Sequence, residues 1–129
     1  MKVYLAKFTK NGKIAYKVGH TKFFKSINRF ADSQYNVFDS VVILDDIYIE
    51  NKDYTTAKIC SELVETTLQG FFPKDFRLED HFMTEEHVFD NLSGITEMFL
   101  CDYPEEVLLE TFARVKRNVG FIMRKYNGK

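Results

Sequence analysis

The chain has 129 residues, close to half of them apolar and thirteen of them Phe, with a formal net charge of −1. That length suits one domain able to bury a core, and that composition excludes a disordered chain. The apolar runs are too short to span a membrane, and lysines at 7, 10 and 13 break any signal-like hydrophobic stretch. The two cysteines, Cys60 and Cys101, form no metal or redox motif, so a reduced, cytoplasmic protein is expected, with a disulfide between them left open. The near-neutral total hides a segregation. Residues 1–31 hold eight Lys or Arg and no acid, and residues 114–129 hold six more cations and no acid. All nineteen acids lie between Asp32 and Glu110. Cationic ends that meet in space would make one face for a polyanion.

In chain order, residues 2–8 read as a strand and residues 14–19 as its return. Lys10-Asn11-Gly12-Lys13 forms the hairpin turn between them, because Asn-Gly readily takes positive φ. Tyr4 then lies on the strand next to Lys17–Gly19. Phe23 to Ala31 reads as a short helix with Phe23, Ile27, Phe30 and Ala31 on its apolar face. Val37 to Ile49 is strand-like, with Asp45-Asp46 as a candidate break. Asp53 suits the N-cap of a helix to about Phe72, whose stripe is Ala57, Cys60, Val64, Leu68 and Phe71. At about 100° per residue, Glu65 falls about 100° from the centre of that stripe and Glu62 about 160° from it. Glu65 is therefore placed on the shoulder between core and solvent, and Glu62 on the surface.

Residues 73–91 are acidic and weakly patterned, an irregular connection with at most a short helical piece. His81 and His87 lie there among acids, but their spacing matches no metal-ligand pattern. Residues 95–101 form a last candidate strand. Pro104, Glu105 and Glu106 suit the start of a final helix, with Leu108, Phe112, Val115 and Val119 as its core face. The expected fold is a single small α+β domain: a mostly antiparallel sheet of three or four strands flanked by helices. Its core spans residues 2–72, the acidic connection 73–92, and the closing strand and helix 93–129.

Five features in order carry a resemblance. They are Val3-Tyr4-Leu5; Lys17-Val18-Gly19-His20-Thr21; Arg29; Val64-Glu65-Thr66-Thr67-Leu68; and Ser93-Gly94-Ile95-Thr96-Glu97-Met98-Phe99. The set resembles the GIY-YIG nuclease superfamily, in particular a bacteriophage-rich branch whose second motif commonly reads Lys-Ile-Gly-x-Thr. Three departures stand out. Lys17 replaces the second tyrosine of the founding motif, the spacing from Gly19 to Arg29 is slightly long, and Gln69 stands where relatives often carry a His.

The resemblance implies a metal-dependent DNA endonuclease, with RNA as the alternative substrate. In that scheme Tyr4 acts as general base or water orienter, Arg29 grips the scissile phosphate, and Glu65 holds one Mg²⁺ or Mn²⁺. Tyr16 and His20 flank the site as catalytic candidates, with Lys7, Lys17, Gly19, Thr21, Lys22 and Lys25 on the nucleic acid. Such a protein would be phage-encoded, act in the bacterial cytoplasm as a monomer or homodimer away from membranes, and cut host or foreign DNA. A competing reading from another class is a catalytically weak or inactive module that binds a host defence protein or nucleic acid. The surplus of fifteen acids over cations in residues 32–113 favours it, since it does not help a DNA binder.

Overall fold

A computed structural model describes residues 1–22, 25–31, 33–49, 53–71, 77–90, 92, 98–99 and 104–126. The hairpin is the organising unit. Strands β1 (Lys2–Lys10) and β2 (Lys13–Thr21) pair in register, with Tyr4 opposite Gly19 and Ala6 opposite Lys17. The turn residues Asn11 and Gly12 take φ of 52° and 72°, the left-handed values that the Asn-Gly pair was expected to supply. A side-chain bond from Asn11 Nδ2 to the Phe82 carbonyl at 2.8 Å ties that turn to the acidic connection. Strand β3 (Ser40–Tyr48) pairs antiparallel with β1, and the two-residue strand β4 (Met98–Phe99) pairs with β2, giving the order β3-β1-β2-β4. The remaining expected residues of that last strand, 95–97, 100 and 101, and the rest of its motif lie outside the described residues.

Both faces of the sheet are covered, which is why β1 reads as a continuous apolar run rather than an alternating one. Val3 and Leu5 point to one face, and Tyr4, Ala6 and Phe8 to the other. On the first face, helix α1 (Tyr54–Phe71) and helix α3 (Glu105–Tyr126) press Cys60, Val64, Leu68, Leu108, Phe112 and Val115 against Val3, Leu5, Tyr16, Val18 and Ile47. The second face is aromatic. Two 3₁₀ helices (Ser26–Phe30 and Ser33–Val37) and the short helix α2 (Leu78–Phe82) bring Phe30, Tyr35, Phe38, Phe82 and Phe89 onto Tyr4 and Phe8. Phe38 stacks on Phe89 with ring centroids 5.5 Å apart. Asp53 caps α1 as expected: its carboxylate accepts from the backbone N–H of Thr55 and Thr56, each at 3.3 Å, and from the Thr56 hydroxyl at 2.5 Å. The Thr56 hydroxyl first, and the two backbone donors after it, hold the Asp53 pKa below the ordinary aspartate value against the opposing effect of burial.

Two expectations change. The helix over residues 23–31 is a 3₁₀ helix over Ser26–Phe30, with a three-residue repeat. Its face is therefore not the one an α-helical repeat selects: Phe30 is buried while Ile27 and Ala31 are exposed, and Phe23 lies outside the described residues. The Asp45-Asp46 pair does not split β3. A bulge at Leu44 absorbs one extra residue between the Ala6–Ile43 and Leu5–Asp45 pairs. The two acids then face opposite sides of the sheet. Asp45 accepts from Lys116 Nζ of α3 at 2.8 Å, and Asp46 accepts from Ser26 Oγ at 2.8 Å.

Candidate active site

Pairing decides which side chains share a face. His20 lies opposite Val3, so it faces α1. Glu65 reaches it from the shoulder of α1, inside the core boundary with a side chain only 8% exposed, whereas Glu62 is on the surface. His20 Nδ1 is hydrogen-bonded to Glu65 Oε2. Gln69, one turn further along α1, donates from Nε2 to Glu65 Oε1 at 3.1 Å and to the Val18 carbonyl at 3.2 Å. The amide thus anchors the carboxylate to β2, the strand that carries the histidine. His20 remains about a quarter exposed, so the assembly has a buried base and an open end. In the neutral tautomer that donates Nδ1–H to the carboxylate, Nε2 carries the ring's lone pair, the arrangement that suits proton abstraction from water.

The other expected site residues divide between the two faces. Tyr16 is nearly buried on the His20 face. Its hydroxyl donates to Glu105 Oε1 at 3.2 Å, and Lys7 Nζ meets the same oxygen at 2.9 Å. These contacts, led by the Lys7 hydrogen bond, lower the Glu105 pKa below 4.5 against the opposing effect of burial. Tyr4, Lys17, Gly19 and Thr21 belong to the opposite, aromatic face, because their pairing positions alternate with those of Val3, Val18 and His20. Tyr4 is fully buried, edge-on to Phe30 at 5.3 Å. Lys17 is 1% exposed, its Nζ 5.7 Å and 5.6 Å from the Tyr4 and Phe30 ring centres. The Arg29 guanidinium lies over Tyr35 at 5.6 Å and Phe30 at 5.9 Å. Lys22 and Lys25 are exposed just beyond the His20 end of β2.

The structure therefore brings His20 and Glu65 together and sets Tyr4 and Arg29 on the far side of the sheet from them. The physical reason is the two-residue period of a strand: an even position on β1 cannot share a face with Val3 and Leu5. Sequence reasoning treated Gln69 only as a departure; its spacing of one helical turn from Glu65 was the available signal. Glu105 was read as a helix start only, and its contact with Lys7 and Tyr16 depends on tertiary packing.

Both Glu65 oxygens are engaged by protein donors. Among the described residues no three His, Cys, Asp or Glu side chains gather into a ligand cluster, at residues 81–87 or elsewhere. One carboxylate is nonetheless enough for an ion that keeps water and takes substrate phosphate as its remaining ligands. The Glu65 carboxylate is of the oxygen-donor type that Mg²⁺ or Mn²⁺ takes. Cys60 is a core residue whose thiol is pushed up by burial, and Cys101 lies outside the described residues. No helix among the described residues is long and apolar enough to cross a membrane. No protein-family model, curated protein or solved structure matches the chain.

Proposed function

We propose that the chain is a GIY-YIG-like endonuclease that hydrolyses phosphodiester bonds in DNA, with the His20–Glu65–Gln69 assembly as its reactive centre. The observation that carries this reading is a histidine whose Nδ1 is fixed by a nearly buried carboxylate while about a quarter of its side chain is exposed at the end of β2. His20 Nε2 takes a proton from water as the oxygen attacks phosphorus; the P–O bond to the leaving sugar oxygen breaks, and that oxygen takes a proton from solvent. Glu65 stabilises the imidazolium that forms, and Gln69 prevents the carboxylate from turning away. Lys22 and Lys25 draw the backbone to this end of the strand. Mg²⁺ or Mn²⁺ would be held by Glu65 in exchange for one of its present hydrogen bonds, and when bound supplies charge neutralisation at the phosphate oxygens. Tyr4 and Arg29, on the other face, act here by supporting the aromatic layer under the strand. This differs from the roles that the family resemblance implies for them.

The test is incubation of the full chain with plasmid DNA and with single-stranded RNA, in Mg²⁺, Mn²⁺ or chelator, beside His20→Gln, Glu65→Ala and Tyr4→Phe. Cutting that is lost in the first two variants and kept in Tyr4→Phe supports the proposal. Cutting that survives in His20→Gln, or no cutting under any condition, overturns it. Loss in Tyr4→Phe of a folded protein returns the base role to Tyr4.

A second reading is a catalytically silent binding module of the same descent, directed at a host defence protein or a nucleic acid. The burial of Tyr4 and Lys17 away from Glu65 favours it, as do the exposed acids Asp80, Glu85, Glu86 and Asp90 around α2. Binding to a partner with no turnover by any of these proteins is its expected result.

A further inference from the structure

Helix α3 buries Leu108, Phe112 and Val115, with Val119 half-covered beside them. Its opposite face has no partner among the described elements. At about 100° per residue, Glu110, Arg114 and Arg117 all lie within about 40° of Phe121 around the helix axis. Phe121 is 61% exposed, a large aromatic in water at the end of a cationic stripe. Arg117 sits one turn before it, and Arg114 one turn before that. Residues 111–129 contain no acid. Arg114 is held by Glu110 at 2.9 Å, but both side chains are about two-thirds exposed, so that pair is weak and exchanges readily. Lys116, on the flank, is committed to Asp45 and fixes the helix on the sheet.

The direction of α3 matters. It starts where Glu105 meets Lys7 and Tyr16 and passes Asp45, which lies opposite Leu5. It therefore advances toward the end of the sheet where His20 pairs with Val3. An exposed aromatic flanked by arginines is the composition of a stacking platform for unpaired bases: the ring takes a base of any identity and the guanidinium takes the phosphate.

We infer that the outer face of α3 is a track for a single nucleic-acid strand, with Phe121 stacking a base and Arg117 and Arg114 contacting the backbone. The inference rests on the reading that the chain acts on nucleic acid. It narrows the substrate to unpaired or locally opened strands. Charge complementarity favours a strand over a protein on this face, since the only acid of the stripe is Glu110.

The test is fluorescence anisotropy with labelled single-stranded DNA, single-stranded RNA and duplex of equal length, in chelator so that no cutting occurs. The proteins are the full chain, Phe121→Ala, Arg117→Gln and, as a control elsewhere on the surface, Met83→Ala. Phe121→Ala is expected to bind either single strand about tenfold more weakly with an unchanged salt slope. Arg117→Gln is expected to weaken binding and to flatten the slope by about 0.7. Met83→Ala should bind as the parent does. Unchanged strand binding by Phe121→Ala overturns the inference. So does a loss of self-association in sedimentation without loss of strand binding, which would make the face a protein contact. Strand binding that follows these rules in a protein that never cuts leaves the track standing and removes the catalytic proposal instead.

Discussion

Removing the Glu65 carboxylate is the sharpest probe of the reactive centre, because it touches stability as well as chemistry. In Glu65→Ala, His20 loses the acceptor at Nδ1 and Gln69 loses one of its two acceptors, keeping the Val18 carbonyl. A hydrogen bond to a charged group is worth about 1.5–3 kcal/mol. His20 is open enough to regain part of that from water, and Gln69 keeps its second bond, so the sum is discounted to about 2–3 kcal/mol. With a urea slope of about 1.5 kcal/mol per molar, the unfolding midpoint should fall by about 1.3–2 M. A double-mutant cycle with His20→Ala isolates the pair, and its coupling energy should be about 1–2 kcal/mol. Costs that add within about 0.5 kcal/mol would show that the pair does not form in solution, and the proposed base would fall with it. A rise in stability on removing Glu65 would also refute the reasoning, because it would mean that the carboxylate is held against its own desolvation.

Other predictions test the frame. Gly12→Ala should cost about 1–2 kcal/mol in thermal unfolding although a Cβ there meets nothing, because φ is +72°, whereas Gly70→Ala on the exposed side of α1 should stabilise by about 0.5–1 kcal/mol. Phe82→Ala removes a fully buried ring that holds the acidic connection on the sheet; a loss of about 3–5 kcal/mol and early proteolysis within residues 77–90 are expected. The Glu105 pKa is depressed in the folded state by Lys7, so its contribution is present above the unfolded carboxylate range and is lost as pH falls through the folded value, below 4.5. Glu105→Gln should therefore lower stability slightly near neutrality, and the difference from the parent should shrink in acid. Melting curves from about pH 6 to pH 3 read this directly.

The hairpin, the Asn-Gly turn, the Asp53 cap and the apolar stripes of α1 and α3 were legible in the sequence because each is a local rule. The phase of Glu65 was legible for the same reason: position 65 on a helix capped at Asp53 can occupy only the edge of the stripe through Val64 and Leu68. The side of the sheet that this helix covers was not legible. Val3-Tyr4-Leu5-Ala6 is apolar at every position, so β1 does not announce which parity faces α1 and which faces the aromatic layer. Sequence adjacency placed Tyr4 beside Gly19 and Lys17 correctly, and the register confirms that neighbourhood. The step from that neighbourhood to a shared cleft with Glu65 needed tertiary information. The 3₁₀ helix failed for a different reason: with five residues, a repeat of three and a repeat of 3.6 select different faces from nearly the same pattern.

The cations of residues 1–31 show how a charge count overstates a binding surface. Lys2 is spent on Asp46, Lys7 on Glu105 and Lys10 on the Val37 carbonyl. Lys17 lies buried beside the Tyr4 and Phe30 rings, and Arg29 lies over aromatic rings. Lys13, Lys22 and Lys25 are the members of this set classed as exposed, and Lys13 sits at the hairpin turn, the far end of the strands from His20. The first segment by itself thus offers a polyanion two open lysines near the candidate base. A strand held only there would be held weakly, since each cation contributes about one released counterion. Tighter binding has to come from charge carried elsewhere. The acid-free end of α3 advances toward the same end of the sheet, and Arg117 and Phe121 stand on its outer face. On the proposed reading, the two acid-free ends of the chain would serve one strand between them.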